Sequence, residues 1–238
     1  MKKKLTAIAL VICLMAVAVI GGSLAYFTDT KDVENVFTTG DVEIEIQEVF
    51  EEGSKLIPGI DVEKKVNVAN TGSERAFVRV HIAIPTILDS GDDDDPRFAA
   101  YDNLLHWNMS KASLVDGLWN WNQSADGPNY PGNGGTWNFY ERNIGGVDYT
   151  VYVATYETAL EGETGVTAEE AIHKVYLDVN VTDELLEDIV AELGEIKILV
   201  AAEGAQEAGF EGKAYEALNT QFGDPMSEDY ESPWEKAA

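Results

Sequence analysis

The sequence is poor in the residues that most often carry enzyme chemistry and crosslinking. Its 238 residues include one cysteine, Cys13, and three histidines, at positions 81, 106 and 173. A single cysteine excludes an intramolecular disulfide framework. The metalloprotease pattern HExxH, the nucleophile pattern GxSxG and a phosphate-binding glycine loop do not occur in the sequence. We therefore predict a protein that is not an enzyme and that needs no cofactor.

Basic residues are also scarce. The chain has 16 lysines and arginines against 43 aspartates and glutamates, and its formal net charge is −27. Such a surface repels nucleic acid and anionic membranes, so the expected partners are cations or proteins with complementary surfaces. Copies of the chain would repel one another at low salt, and cations should therefore favour their association.

A long apolar run occurs at the N-terminus. Residues 2–4 are lysines, residues 5–20 are uncharged and apolar, and Ser23 and Ala25 place small residues three and one positions before Tyr26. This layout is typical of a secretory signal peptide. The run is shorter than the roughly 20 residues of a membrane-spanning helix, which is the alternative interpretation. We predict cleavage after Ala25 by a signal peptidase, secretion, and no membrane anchor in the mature protein.

Most of the remaining chain shows the period-two pattern of β-strands. Apolar residues alternate with polar ones in segments 41–47, 62–70, 76–84, 135–142, 149–156, 172–181 and 195–202. Many antiparallel strands with few helices predict the all-β class, and specifically an antiparallel jelly-roll β-sandwich. The "NTGS" turn at residues 70–73 predicts an antiparallel hairpin of segments 62–70 and 76–84. Arg79 and His81 alternate with an apolar face, so we expect both to face solvent.

Two segments have the spacing of amphipathic helices. In residues 183–193 the apolar positions form a stripe, with Thr182 or Asp183 as N-cap and Gly194 as the stop. A second helix is predicted over residues 211–222. The expected organisation is a signal peptide at 1–25, an N-terminal segment at 26–40, a sandwich domain at 41–223 and a loose acidic tail at 224–238.

Residues 86–147 are too long for a simple loop and are predicted to form an insertion in the sandwich. The run Asp92, Asp93, Asp94 and Asp95 is a candidate calcium site because calcium prefers carboxylate oxygens, although it lacks the EF-hand pattern and a solvated loop is the alternative. The insertion also carries four tryptophans that form either a ligand face or a local core: Trp107, Trp119, Trp121 and Trp137.

The junction "GGSLAYFTDT…NVFTTGDVEIEI" resembles the TasA and camelysin group of exported proteins, the substrates of a dedicated signal peptidase. The matching positions are Gly21 or Gly22, Ala25, Tyr26, Phe27, Asp29, Asn35, Phe37 and Gly40. The similarity continues in "LIPGIDVEKKVNVANTGSERAFVRVHI" through Pro58, Gly59, Lys64, Asn70, Gly72 and Ser73. It includes the strand and helix at the C-terminal end, but not the tryptophan-rich insertion.

This resemblance implies a jelly-roll subunit of extracellular filaments in a biofilm matrix. Its partners would be further copies of the chain in a head-to-tail homopolymer, the signal peptidase and other matrix proteins. The freed N-terminal segment would pair as a strand with the next subunit, a mode of β-augmentation. The residues of this donor-strand segment are Tyr26, Phe27, Asp29, Val33, Asn35, Val36, Phe37 and Gly40.

Two alternatives come from other classes of protein. One is a monomeric surface module that binds glycan or protein through the tryptophan-rich insertion. The other is a secreted metalloprotease, because camelysin-like proteins carry that label, although the sequence has no recognisable zinc motif.

Overall fold

The computed structural model of the protein describes residues 35–36, 42–50, 55–89, 104–108, 119–120, 139–156, 158–162 and 169–236. The first five strands are β1 (Asn35–Val36), β2 (Ile44–Phe50), β3 (Val62–Asn70), β4 (Ala76–Pro85) and β5 (Leu105–Asn108). The other five are β6 (Trp119–Asn120), β7 (Phe139–Ile144), β8 (Val147–Tyr156), β9 (Glu169–Leu177) and β10 (Leu199–Gln206). The helices are α1 (Thr86–Asp89), α2 (Asp183–Leu193), α3 (Ala214–Phe222) and α4 (Pro233–Lys236). Among these helices none is long and apolar enough to cross a membrane.

The strands form two sheets. The larger sheet has the order β1-β10-β4-β8-β6, with β7 also paired to β8, and the smaller has the order β2-β3-β9-β5. The pairings are antiparallel, except that β1 lies parallel to β10. The chain crosses from one sheet to the other after β1, β3, β4, β5, β8 and β9, a connectivity typical of jelly-roll sandwiches. The predicted all-β sandwich is confirmed.

The predicted hairpin of segments 62–70 and 76–84 is wrong. Both segments are strands, but β3 lies between β2 and β9 whereas β4 lies between β10 and β8, in the other sheet. The intervening turn is tied to other parts of the chain: the buried Asn70 amide donates to the carbonyls of Glu74 at 2.7 Å and Leu160 at 3.2 Å. The carbonyl of Glu43 accepts from Thr71 and Gly72. These bonds direct the chain across the sandwich instead of back along β3.

The main core lies between the two sheets. Its centre on β4 is made by alternate residues Val78, Val80, Ile82 and Ile84, which face β3 and β9 residues such as Val66 and Ile172. All of these side chains are fully buried, and each such burial favours folding by about 1.5–3 kcal/mol. The period-two pattern of the sequence therefore identifies the inner face of the sheet correctly.

The sheets approach closely where β10 passes β2. A Cβ atom added at Gly204 would lie 2.2 Å from Cγ1 of Ile44, well inside van der Waals contact. The glycine in β10 thus allows the Ile44 side chain to fill the space beside the β10 backbone. This contact draws one end of the sandwich together.

Helix α2 begins and ends at the predicted residues. Oγ1 of Thr182 accepts a hydrogen bond from the backbone N–H of Leu185 at 3.2 Å, the geometry of an N-cap. Gly194 follows the helix with φ of 72°, a conformation that glycine adopts readily. Leu185 and Ile189 pack into the main core. Helix α3 packs on the opposite side of the larger sheet, with Leu218 against Phe77 of β4.

The outer face of the larger sheet is covered, which corrects two expectations. All ten residues of β4 are buried, including Arg79 and His81, both of which are 0% exposed. The acidic C-terminal segment is not loose. Residues 224–236, which we call the strap, run across this face and bury Tyr230 and Ser232. Aromatic and proline residues lie between the acidic residues of the strap and make this packing possible. The alternating pattern of β4 alone cannot reveal that another segment covers its outer face.

Candidate functional site

The most unusual group of buried side chains lies between the strap and the outer face of the larger sheet. Its centre is Glu203 on β10, which is 0% exposed. The register places Glu203 directly opposite Arg79 and places Ala201 opposite His81 on β4. We call the group the charged cluster, and its members are Arg79, His81, Tyr140, Glu203, Tyr230 and Lys236.

The carboxylate of Glu203 accepts hydrogen bonds from four side chains. Oε2 accepts from Nε of Arg79 at 2.9 Å, from Nη2 of the same guanidinium, and from Nε2 of His81 at 3.1 Å. Oε1 accepts from the Tyr230 hydroxyl at 3.1 Å and from Nζ of Lys236 at 3.2 Å. Two of the donor side chains come from β4 and two from the strap, so one buried carboxylate joins three segments of the chain.

Arg79 extends the network to α3. Its Nη1 donates to Oδ1 of Asn219 at 2.8 Å, and its Nη2 donates to the carbonyl of Gly223 at 3.2 Å. Its guanidinium also lies 5.6 Å from the centre of the Tyr230 ring, a distance suited to a cation–π contact. Arg79 therefore fixes the point at which α3 leads into the strap.

His81 is enclosed by aromatic rings. Its Nδ1 lies 3.2 Å from the Tyr140 hydroxyl, and its ring stacks on that of Tyr230 with centroids 6.0 Å apart. Donation from Nε2 to Glu203 leaves Nδ1 as the acceptor for Tyr140, and the network therefore assigns a neutral imidazole.

The ionisation of the cluster follows from burial and the surrounding charges. Burial lowers the pKa of His81, and the charges of Arg79 and Lys236 add to this effect against the opposing influence of Glu203. Burial would raise the pKa of Glu203, but the hydrogen bond from His81 and the charges of Arg79 and Lys236 outweigh it and hold that pKa well below its usual range. At neutral pH the cluster is thus an anion between two cations beside a neutral imidazole.

Burial also affects the two tyrosines, and the charge of Glu203 acts in the same direction. Both raise the pKa of Tyr140 and of Tyr230 well above the ordinary value. The phenols therefore remain donors throughout the neutral range, as the hydrogen bonds to His81 and Glu203 require.

A second candidate site is the outer edge of β10. Its inner neighbour β4 pairs with it along eight residues, from Leu199 to Gln206. On the outer edge, Asn35 and Val36 of β1 pair with Ala202 and Glu203 in parallel orientation. Two residues of the predicted donor-strand segment thus lie against a sheet edge of the same chain.

The predicted site residues have three kinds of outcome. Asn35 and Val36 are in β1, and Trp107 is in β5. Trp119 is 1% exposed and packs on Tyr156 with ring centroids 5.1 Å apart, so it is a core residue and not part of a ligand face. Outside the described residues lie Ser23, Ala25, Tyr26, Phe27, Asp29, Val33, Phe37, Gly40, Asp92, Asp93, Asp94, Asp95, Trp121 and Trp137.

The sequence patterns did not lead us to predict the charged cluster. Its available signal was an acid inside the small and apolar run "ILVAAEGAQ", where Glu203 interrupts a strand of otherwise buried residues. A buried acid needs a cation, and Arg79 in the apolar segment 76–84 offered one. The contribution of Tyr230 and Lys236 could not be anticipated, because the acidic composition around them resembles that of a disordered tail.

Comparison with known families gives a match at the N-terminal end of the chain. A family model described as camelysin metallo-endopeptidase matches residues 1–100. The match covers 100 of the 238 residues, so this N-terminal part of the chain is similar to the camelysin family, in agreement with the resemblance of the junction. The matched residues extend from the N-terminus to beyond β4, and therefore include the junction that carries the resemblance. No curated protein and no solved structure gives a significant match.

The name of the camelysin family raises the question of a metal. Within the described ranges, no group of three or more histidine, cysteine, aspartate or glutamate residues is placed to hold a metal ion. The nearest approach is His81 beside Glu203, but both ring nitrogens are hydrogen-bonded and the carboxylate already accepts from Arg79 and Lys236. Four-coordinate zinc needs three or four free ligands, so the charged cluster does not fit zinc.

Proposed function

We propose that this chain, which resembles the TasA and camelysin group, is a secreted structural subunit that forms extracellular filaments by donor-strand exchange. The observation that carries the proposal is the pairing of β1 with the outer edge of β10. In this pairing two residues of the N-terminal segment, which we predict to act as the donor strand, lie along that edge within the same chain.

The geometry of the edge explains why exchange is feasible. Strand β10 is eight residues long, and among the described residues β1 pairs with two of them, Ala202 and Glu203. The edge of a sheet presents backbone N–H and C=O groups that are satisfied equally well by a strand of the same chain or of another copy. A donor that enters the next copy instead of its own creates a head-to-tail contact, and repetition of that contact without closure gives a filament.

Deletion of the donor segment tests the proposal. The protein beginning at Tyr26 should form filaments of regular width in negative-stain electron microscopy, whereas a variant lacking residues 26–38 should remain a folded monomer. Circular dichroism and light scattering would establish that the deleted variant is folded and monomeric. Filaments formed by the deleted variant would contradict the proposal.

A point variant provides the matched control. Val36→Pro removes one backbone N–H from β1 and should reduce filament formation, because proline cannot donate to a strand ladder. Val36→Thr keeps the N–H and the β-branched shape and should polymerise nearly as well as the parent. A synthetic peptide of residues 26–40 should bind the deleted variant but not the intact protein in its assembled form.

Secretion is part of the same proposal and rests on the predicted signal peptide. N-terminal sequencing of the protein recovered from the medium of its host should begin at Tyr26. Recovery of the uncleaved chain in the membrane fraction would support an anchor instead.

The binding-module alternative loses one of its four tryptophans, because Trp119 lies in the core. The peptidase alternative keeps the support of the family name. Proteolysis that a chelator abolishes and zinc restores, measured on the purified mature protein, would favour it over the structural function.

A further inference from the structure

We propose that the strap, residues 224–236, is an acid-released closure of the outer face of the larger sheet, with His81 as the group that senses protons. This inference concerns the sandwich itself and does not depend on filament formation.

The strap is attached to the sheet through side chains. Its backbone hydrogen bonds close local turns, from Ser227 to Asp224, from Tyr230 to Ser227, and from Glu235 and Lys236 to Ser232. Tyr230 and Lys236 reach the sheet by donating to the carboxylate of Glu203, which also pairs with Arg79 of the neighbouring strand. A segment held in this way can separate as a unit without breaking a sheet ladder.

A second set of contacts lies at the margin of the strap. Nη2 of Arg142 on β7 donates to the carbonyl of Tyr230 at 2.7 Å, and its Nε lies 3.3 Å from the Glu235 carboxylate. The Arg142–Glu235 pair is partly exposed, so solvent weakens it. The buried polar attachment of the strap is therefore the set of bonds to Glu203, which lies beside the packing of Tyr230 and Trp234 against the sheet.

The groups around His81 determine how a proton would act there. They come from every element packed against the ring: Arg79 of β4, Glu203 of β10, Tyr140 and Arg142 of β7, and Tyr230, Glu235 and Lys236 of the strap. Of these, Arg79 and Lys236 are the cations that act directly on His81, and Glu203 is the anion that opposes them. Protonated His81 would be a third cation competing for one carboxylate in a site without water access.

The direction of the pH dependence follows from linkage. In the closed state burial lowers the pKa of His81 from its ordinary value of 6.5. When the strap opens, water reaches the ring and the pKa returns towards that value. The open state then binds more protons, so closure is favoured above about pH 6.5 and is progressively lost below it. Glu203 acts in the same direction at lower pH, because its ordinary pKa is 4.5.

Hydrogen exchange measured by mass spectrometry on the full chain tests the inference. After correction for the intrinsic pH dependence of exchange, the opening constant of peptides from residues 224–236 should rise about fivefold or more between about pH 7.5 and pH 5.5. Peptides from β8 should keep their protection over the same range. A constant strap protection would overturn the proposal.

Three variants separate the sensor from the attachment. His81→Gln should reduce the pH dependence of strap opening to less than about twofold. Tyr230→Phe should open the strap more at both pH values and keep the dependence, since it removes one donor to Glu203 but leaves His81. The control is Lys213→Gln. Lys213 precedes α3 and forms an exposed ion pair with Glu216, so this variant should behave as the parent. Full retention of the pH dependence in His81→Gln would refute the role of His81.

If His81→Gln fails to fold, the parent protein still provides a test. A histidine proton resonance should titrate with a midpoint below the ordinary histidine value, and its midpoint should coincide with that of strap exchange. Three histidines that all titrate at or above the ordinary value would overturn the inference.

Discussion

The two faces of β4 are buried in opposite chemical ways. Its inner face is wholly aliphatic, with Val78, Val80, Ile82 and Ile84 in the main core. Its outer face carries Arg79 and His81 in the charged cluster. The aliphatic contacts are non-directional and insensitive to pH, whereas the outer contacts depend on the ionisation and exact placement of each partner. One strand thus supplies both the general stability of the sandwich and a specific attachment for the strap.

The largest effect should come from removing the charge of the buried carboxylate. Glu203→Gln leaves Arg79 buried without a counter-charge, and loss of one partner of a buried ion pair destabilises by about 3–5 kcal/mol. Urea unfolding followed by circular dichroism would measure this loss. The matched control is Glu216→Gln on α3, which removes an exposed ion pair with Lys213 and should have a much smaller effect. Equal effects of the two substitutions would show that the outer face contributes little to stability.

A comparable loss is expected on the inner side of the sandwich. Trp119→Ala removes a side chain that is 1% exposed and packs on Tyr156, and truncation of a buried tryptophan costs about 3–5 kcal/mol. Unlike Glu203→Gln, this loss should be the same at pH 7.5 as at about pH 5.5, since no charge is involved. An unfolding midpoint close to that of the parent would instead support the ligand-face interpretation.

An intermediate effect is expected where β10 meets β2. Gly204→Ala brings a methyl group against Ile44, and overpacking of this kind costs about 1–3 kcal/mol. Ile44→Ala, which removes Cγ1, should recover part of the loss in the Gly204→Ala background, although it is destabilising alone. Additive effects in this double-mutant cycle would indicate that the two residues are not in contact.

The smallest effect is expected at the exposed end of the sandwich. Val179 is 72% exposed, so Val179→Ala should change the free energy of unfolding by no more than about 0.5 kcal/mol. The same conservative truncation at the fully buried Val80 should cost more. If the two substitutions reduced the free energy of unfolding by similar amounts, Val179 would be covered in the protein as measured, for example by a partner.

The sequence predicts the elements of the fold better than their arrangement. The β3 segment and α2 have the predicted bounds, because alternation and capping are local properties of the chain. The hairpin prediction failed since it depended on the direction of the turn after Asn70, which long-range bonds to Glu43 and Leu160 decide. Neighbouring strands in sequence are therefore not neighbours in space here.

The prediction for the outer face failed for a related reason. A polar residue that alternates with apolar ones is normally solvated, and only the docking of a segment more than a hundred residues away buries Arg79. The donor-strand prediction could be followed only for Asn35 and Val36, which pair with β10. The resemblance to the TasA and camelysin group did not need this geometry, because short co-linear motifs carry it.

The pairing of β4 with β10 also has a consequence for the folding reaction. Arg79 and Glu203 are separated by 124 residues in the sequence. Neither sheet is therefore complete until the last third of the chain, which contains β9 and β10, has been synthesised. Folding dominated by such distant contacts is slow, on the order of milliseconds to seconds for small β-domains. During that interval apolar strands are unpaired, and the net charge of −27 provides the mutual repulsion that keeps incomplete chains apart. The acidity of the chain would then limit the aggregation of unfolded chains, in addition to setting the surface charge of the folded protein.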